Sequence, residues 1–286
     1  MGQKDLTGKS LEQYPDVFAD VVNALMHQGR QVLEEKHLQS APTETLYPGT
    51  KGRLRNQFHD VSMYEMQAGR IRAQYTLENE TKINRKLVLR KAGYLGAVYR
   101  RQYDDGDVYP IVSMALYWGK RRWSGPRNLR RLVSPKKELS EYVDNVRLHV
   151  YEMARLPAEV RARFQSDMRL VVDFLAEGKG YVPTGQKIVH VEALFRMLSA
   201  LTEDERFEKL IPITLEVEKA KGEITMCEWL DKYEKLGMEK GMEKGMEQMM
   251  LKNIRNLMDS LQYTAEQAMD LLKVSEEERI GLRPQL

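Results

Sequence analysis

Two extended runs in the first half of the chain constrain the fold more than any other feature. Residues 58–66 (FHDVSMYEM) and 70–78 (RIRAQYTLE) are separated only by the three residues QAG. In the second run apolar and polar side chains alternate, which is the period of a half-buried β-strand. Two such runs joined by a short segment with a glycine predict a β-hairpin. A β-sheet is therefore expected near the centre of the fold.

The segments around this hairpin predict two helices and one further strand. Apolar residues recur at helical spacing over residues 16–29, with Asp16 as the N-cap. Residues 84–103 predict a second helix, and the apolar run 109–119 predicts a buried strand. Residues 40–57 are rich in turn-forming residues and predict a loop. Helix, hairpin, helix and strand together predict an α/β core.

Beyond Pro135 the pattern becomes almost wholly helical. The predicted helices are 139–154, 157–176, 190–201 and, as a small hairpin, 262–281. The glycines of residues 177–185 predict a loop. The resulting organisation is an α/β domain over 1–135, a helical region over 136–225 and a helical tail over 226–286.

The tail contains a short repeat. Residues 237–240 and 241–244 read Gly-Met-Glu-Lys, and residues 245–248 read Gly-Met-Glu-Gln. A four-residue period on a helix drifts by only about 40° per repeat, so the methionines form one stripe and the glycines another. Each glycine costs a helix about 1 kcal/mol relative to alanine. The repeat predicts either a close helix–helix contact, as in a homo-oligomer, or a helical linker.

Composition limits the class of protein. No apolar run approaches the roughly 18 residues of a membrane span, and the first thirty residues show no signal-peptide pattern. Cys227 is the single cysteine, which excludes an intrachain disulfide and a zinc site built on cysteines. We expect a cytoplasmic protein without a membrane partner.

Charge is distributed unevenly along the chain. Residues 51–131 carry 18 Lys and Arg against 7 Asp and Glu, whereas the whole chain has a net charge of only +3. A basic middle beside an acidic remainder is typical of a protein with a polyanionic partner. A solvated surface rich in arginine would have the same composition.

The carboxylates at the end of the second run suggest a cation site. Glu78 and Glu80 are two residues apart, so they share one face of a strand. If the hairpin loop has an odd number of residues or the strands contain a bulge, Asp60 lies on that face too, diagonal to Glu78. A two-residue loop would turn Glu78 away from Asp60. A charged strand end is the alternative explanation of Glu-x-Glu.

Several of these segments together resemble the recombination-promoting nuclease family of transposase-like proteins, within the PD-(D/E)XK nuclease superfamily. The resemblance is carried by FADVVNALMHQGRQVL, HDVS, LENET, VLRKAGYLGAVYRRQY and YPIVSMALYWGKRRWSGPRNL, and continues more weakly into the helical part. It implies a restriction-endonuclease-like core, a mixed central sheet flanked by helices, which would occupy residues 1–135.

The resemblance also implies a catalytic site. Asp20, Asp60 and Glu78 match the acidic positions that would hold Mg²⁺ or Mn²⁺, which activates water and polarises a DNA phosphodiester. Glu80 stands where the superfamily has lysine and this family commonly has glutamine, so it would act as a further ligand or as a general base. The implied contacts to DNA phosphates are Arg90, Lys120, Arg121, Arg122 and Arg127. For Arg90 the alternative is an ion pair that stabilises the acidic site.

Two functions follow from these observations. The first is a Mg²⁺-dependent DNA endonuclease linked to recombination or mobile DNA, with Asp60, Glu78 and Glu80 as its catalytic residues. The second is a catalytically degenerate nuclease fold that binds nucleic acid or a protein without cutting, because an anion at Glu80 cannot replace the lysine.

Overall fold

A computed structural model describes residues 11–48, 54–58, 60–106, 108–182 and 185–286. The strands are β1 (Leu38–Ser40), β2 (Glu44–Pro48), β3 (Leu54–Phe58), β4 (Val61–Gln67), β5 (Arg70–Glu80), β6 (Ile111–Tyr117) and β7 (His149–Glu152). The helices are α1 (Pro15–Met26), α2 (Leu87–Asp105), α3 (Leu129–Val133), α4 (Ala158–Arg161), α5 (Met168–Glu177), α6 (Val191–Thr202), α7 (Arg206–Lys221), α8 (Met226–Leu261), α9 (Ala265–Leu271) and α10 (Glu276–Leu282). The chain divides into two units, Met1–Thr225 and Met226–Leu286.

The first unit is built on a five-stranded mixed sheet in the order β1-β4-β5-β6-β7. Strand β4 runs antiparallel to both β1 and β5, whereas β6 and β7 continue parallel to β5. A parallel neighbour requires a crossover connection, and α2 supplies it between β5 and β6. Strands β2 and β3 form a separate antiparallel pair. The predicted α/β class, with a mixed sheet, flanking helices and a helical C-terminal part, is confirmed.

The β4–β5 hairpin has a two-residue turn and a bulge. Ala68 and Gly69 both have positive φ, 51° and 76°, as the tight turns that match strand twist require. Glu65 pairs with Ala73 but the next pair is Met66 with Ile71, so β5 contains one extra residue. A single extra residue exchanges the faces of everything beyond it. The bulge therefore puts Glu78 on the same face as Asp60. A two-residue loop without a bulge would have put the two residues on opposite faces.

Strand β5 lies in the middle of the sheet, and burial reflects this position. From Ala73 to Asn79 every residue is buried, on both faces. One face packs with α2, where Leu87 and Val88 join Ala115 and Tyr117 of β6 in an apolar cluster. The polar end of β5 is consequently surrounded by protein rather than by solvent.

Several local predictions are correct and others are wrong. Segments 84–103, 109–119, 190–201 and 262–281 correspond to α2, β6, α6 and the α9–α10 hairpin. Asp16 is not an N-cap, because α1 begins at Pro15 and Tyr14 occupies the cap position. Residue 59 of the predicted strand 58–66, residues 49–53 of the predicted loop 40–57, and residues 183 and 184 of the loop 177–185 lie outside the described residues.

Three segments differ from their predicted structure because tertiary pairing decides them. The loop predicted over 40–57 contains β2 and β3, which pair with each other. The helix predicted over 139–154 is replaced by a 3₁₀ turn and by β7, which pairs with the buried strand β6. The helix predicted over 157–176 is divided into α4 and α5, and residues 165 and 166 between them donate hydrogen bonds to Asp20. In the first two segments sheet pairing outweighs local propensity.

The second unit contains the long helix α8, of 36 residues, and the α9–α10 hairpin. Both short helices begin with a capping box, Thr264 with Gln267 and Ser275 with Glu278, which satisfies two otherwise unpaired N–H groups at each start. Their apolar residues pack with the C-terminal part of α8. No helix in the described ranges is long and apolar enough to cross a membrane.

Candidate functional site: a carboxylate cluster around Arg90

Three of the predicted carboxylates meet at the C-terminal end of β5. Glu78 and Glu80 leave the strand on the same face, and their side chains are 6% and 12% exposed. Asp60 precedes β4, and its Oδ2 accepts a hydrogen bond of 2.5 Å from the backbone N–H of Asn79. Asp60 is therefore tied to the residue between the two glutamates. The sequence placed Asp60 on the face of Glu78 for a hairpin with an odd loop or a bulge, and the structure contains the bulge.

Arg90 of α2 holds the two glutamates together. One of its terminal nitrogens lies 2.7 Å from Oε2 of Glu78 and 2.5 Å from Oε1 of Glu80. Burial raises the pKa of Glu80, the charge of Arg90 opposes this shift and the charge of Glu78 adds to it. Burial acts to lower the pKa of Arg90, but Glu78, Glu80 and Asp60 together raise it. The site is thus an ion-paired cluster with one guanidinium among three carboxylates.

Asn79 points to the opposite face of β5, where it connects to two further residues. Its Nδ2 donates to Oε2 of Glu12 at 2.6 Å, and its Oδ1 accepts from Nε1 of Trp118 at 2.7 Å. The backbone N–H of Trp118 donates in turn to the carbonyl of Glu80 at 2.8 Å. These bonds fix the end of β5 between the segment that precedes α1 and the segment that follows β6.

Glu12 is a site residue that sequence reasoning missed. Its side chain is completely buried, and burial raises its pKa to about 8, against the hydrogen bond from Asn79 and with a further contribution from Asp60. Its Oε1 has no hydrogen-bond partner among the residues that the structure describes. The sequence carried no signal for it, because Glu12 lies before the periodic part of α1.

A second cation lies near Glu78. Lys91 lines a cavity of about 10 Å³ together with Glu78, Tyr94 and Ser113. Its Nζ donates to the carbonyl of Arg147 at 2.6 Å. Burial lowers the pKa of Lys91 to about 8, although the charge of Glu78 opposes the shift. Burial and the charge of Glu78 both raise the pKa of Tyr94. Lys91 follows Arg90 in the helix predicted over 84–103. The sequence could therefore have predicted a second cation near Glu78.

Asp20 does not join this cluster. It accepts hydrogen bonds from the backbone N–H groups of Gln165 and Ser166, at 2.9 and 2.8 Å, and from the Ser166 hydroxyl at 2.6 Å. It lines a different cavity, of about 500 Å³, with Asp16 and Glu34. Asp20 thus holds the break between α4 and α5. Within the described part of the chain, no three His, Cys, Asp or Glu side chains are grouped so that they could hold a metal ion.

The predicted DNA contacts divide into two kinds. Lys120, Arg121 and Arg122 are exposed and lie in the loop that begins after β6. Because β6 is parallel to β5 and Glu80 pairs with Tyr117, this loop leaves the sheet at the end that carries the carboxylates. The Arg127 side chain instead forms hydrogen bonds within the protein. It donates to the carbonyl of Val150 at 2.7 Å and to the carboxylate of Glu152 at 3.4 Å. We call residues 120–122 the basic loop.

No protein-family model, no curated protein and no solved structure matches the chain.

Proposed function

We propose that this chain is a divalent-cation-dependent DNA endonuclease whose centre is Asp60, Glu78 and Glu80. The observation that carries the proposal is the convergence of Glu78, which is buried, and Glu80, which is partly buried, on one nitrogen of Arg90, beside Asp60. Like charges this close are costly to bury unless a cation or proton compensates them. The resemblance to the recombination-promoting nuclease family and the mixed sheet support the same function.

The donor type fits Mg²⁺ or Mn²⁺, because both prefer carboxylate oxygens, but the described side chains are not grouped around one point as they lie. The Arg90 guanidinium stands between Glu78 and Glu80, so a divalent cation that uses both carboxylates requires this side chain to rotate away. Asp60 and Glu78 would be the principal ligands. A bound cation would supply a water of lowered pKa and polarise a phosphate oxygen. Asp20 is not assigned to this site, since its oxygens already bind residues 165 and 166.

The remaining residues of the cluster would bind DNA and accept a proton. Arg90 is suited to a phosphate, because its planar guanidinium makes two parallel hydrogen bonds to such groups. Glu80 has a raised pKa, and a more basic carboxylate is a better acceptor for a proton from water. The basic loop would contact backbone phosphates, which position a duplex without reading its sequence.

The test is nicking of supercoiled plasmid DNA in Mg²⁺ or Mn²⁺. We expect activity in the wild-type chain and a loss of at least about a hundredfold in Asp60→Ala, since removing a principal electrostatic group typically has that effect. Asp104→Ala, at an exposed carboxylate of α2, is the matched control and should leave the rate unchanged. A chain that nicks no plasmid at any concentration of either metal ion is not an endonuclease.

One observation favours a second function, that of a nucleic-acid-binding module without nuclease activity. Arg90 already pairs with both Glu78 and Glu80, so these carboxylates have a cationic partner that is part of the protein. This function predicts DNA binding that weakens with salt, needs no metal and survives Asp60→Ala. Fluorescence anisotropy with a labelled duplex in EDTA, measured beside the nicking assay, distinguishes the two proposals.

A further inference from the structure

The middle of α8 exposes a row of large apolar side chains. Met238, Met242, Met246 and Met249 are between 62% and 72% exposed. At 3.6 residues per turn they fall on one side of the helix. Contiguous apolar patches of this kind are uncommon on a surface that contacts only water, and they mark sites of interaction.

Among the described residues of α8, the other large apolar side chain with such exposure is Leu261 at the end of the helix, which is 51% exposed. Further along α8, Leu251 and Ile254 are buried against the α9–α10 hairpin, in a cluster with Ala268 and Met269. The hairpin therefore covers the C-terminal part of α8, and the methionines before it are left uncovered by the residues that the structure describes.

The glycines of the repeat lie beside the methionines. Gly241 and Gly245 extend the same side of α8, and together the six residues occupy about 140° of its circumference. We call them the Met/Gly face: Met238, Gly241, Met242, Gly245, Met246 and Met249. A methyl group added at Gly241 or Gly245 would meet no described atom within 4 Å. Packing inside the described chain thus gives no reason for either helix-weakening glycine.

We propose that the Met/Gly face binds the same face of a second copy of this chain, with the two α8 helices parallel. In a parallel pair related by a two-fold axis, the methionine side of one helix meets the glycine side of the other. Large side chains then lie over small residues, which allows a close approach of the two backbones. In an antiparallel pair, methionine would meet methionine and the gaps at the glycines would stay open.

The charged residues at the two edges of the Met/Gly face also favour the parallel orientation. Glu239 and Glu243 follow its methionine side, whereas Lys244 and Gln248 follow its glycine side. In a parallel pair, the acidic edge of each copy lies beside the partner helix's edge that carries Lys244. Opposite charges at such flanking positions set partner choice and orientation in paired helices. An antiparallel pair would place the acidic edges of both copies together.

Self-association of the full chain tests the surface. Sedimentation velocity over about 1–100 μM should show a monomer–dimer equilibrium. The double substitution Met242→Glu/Met246→Glu should raise the dissociation constant at least about tenfold, because it puts four added carboxylates into the interface. Ile280→Glu is the matched control: residue 280 is 70% exposed in α10 of the same unit, and this variant should dimerise like the wild type. Circular dichroism confirms that each variant keeps its helices.

Disulfide formation tests the orientation. In a Cys227→Ser background, Met249→Cys should crosslink to itself in a parallel pair, because the two 249 positions face each other. In an antiparallel pair centred on the face, residue 249 faces residue 238, about 16 Å along the helix from its own counterpart, which is beyond disulfide reach. A wild-type chain that stays monomeric to 100 μM, or a double variant that associates unchanged, overturns the proposal. Preferential crosslinking of Met238→Cys chains to Met249→Cys chains overturns the parallel arrangement.

Discussion

Glu12 should make the folding stability of the first unit fall as pH rises, and Glu12→Gln should remove this dependence. The carboxyl is completely buried, and one of its oxygens has no hydrogen-bond partner in the described ranges. Its pKa is about 8 in the folded chain against an ordinary value of 4.5. Below pH 4.5 the group is neutral in both states, so wild type and variant differ only by the change of carboxylic acid to amide.

The sign and size of the effect follow from proton linkage. Between pH 4.5 and 8 the unfolded chain has lost the Glu12 proton while the folded chain retains it. The stability of the wild type therefore falls by about 1.4 kcal/mol per pH unit across this window. The full difference is roughly 5 kcal/mol and is reached above pH 8, where the folded chain must also ionise the group.

Urea unfolding of both chains between pH 5 and 9 measures this difference. Tryptophan fluorescence in a Trp229→Phe background reports on the first unit, because Trp118 and Trp123 lie there and Trp118 contacts the residue that binds Glu12. The free energy of unfolding of Glu12→Gln should exceed that of the wild type by an amount that grows with pH. A difference that stays constant from pH 5 to pH 9 would refute the assignment of a neutral, buried Glu12.

Three further predictions concern the other charged residues. Arg90→Gln should lower the stability of the first unit by about 2–3 kcal/mol, because the buried Glu78 and the partly buried Glu80 lose a charged donor. The same variant should bind Mn²⁺ more tightly in calorimetry, and an unchanged Mn²⁺ affinity would show that Arg90 does not compete with the cation. Asp20→Ala should lower the free energy of unfolding by about 2–4 kcal/mol, because the hydrogen bonds to residues between α4 and α5 are lost. Any plasmid nicking should persist at temperatures where the variant is folded. Loss of nicking in the folded variant would show that Asp20 belongs to the catalytic site. Replacing all three cations of the basic loop by glutamine should weaken duplex binding and reduce the slope of log K against log salt by up to about 3; an unchanged slope in anisotropy titrations would exclude this loop from the DNA interface.

The carboxylate cluster shows which parts of the site were predictable. The sequence predicts that Glu78 and Glu80 share a face, since a strand has a fixed period of two. It left the position of Asp60 open, because an odd loop or a bulge puts Asp60 on the face of Glu78, whereas a two-residue loop without a bulge puts it on the other face. The structure contains a two-residue turn with one extra residue in β5, and the hydrogen bond from Asn79 to Asp60 follows. A bulge depends on packing across the sheet, which the linear pattern does not encode.

The partners of these carboxylates were less predictable. Arg90 was expected to contact phosphate or to stabilise the site, and in the structure it pairs with both glutamates. Glu12 and Asp20 occupy positions that a pattern does not distinguish, since each is an acidic residue in or near the first helix. Tertiary packing places Glu12 against Asn79 and Asp20 against residues 165 and 166.

The sequence by itself determined the elements whose periodicity is local: the hairpin, α2, the buried strand β6, α6 and the helical tail with its methionine stripe. Alternation and helical spacing record which face of an element is buried, and this information needs only neighbouring residues. Tertiary structure alone decided that 149–152 is a strand, that the hairpin is bulged, and that Glu78 and Glu80 both pair with Arg90. These outcomes depend on pairing and burial across the sheet, whose energies outweigh local propensity.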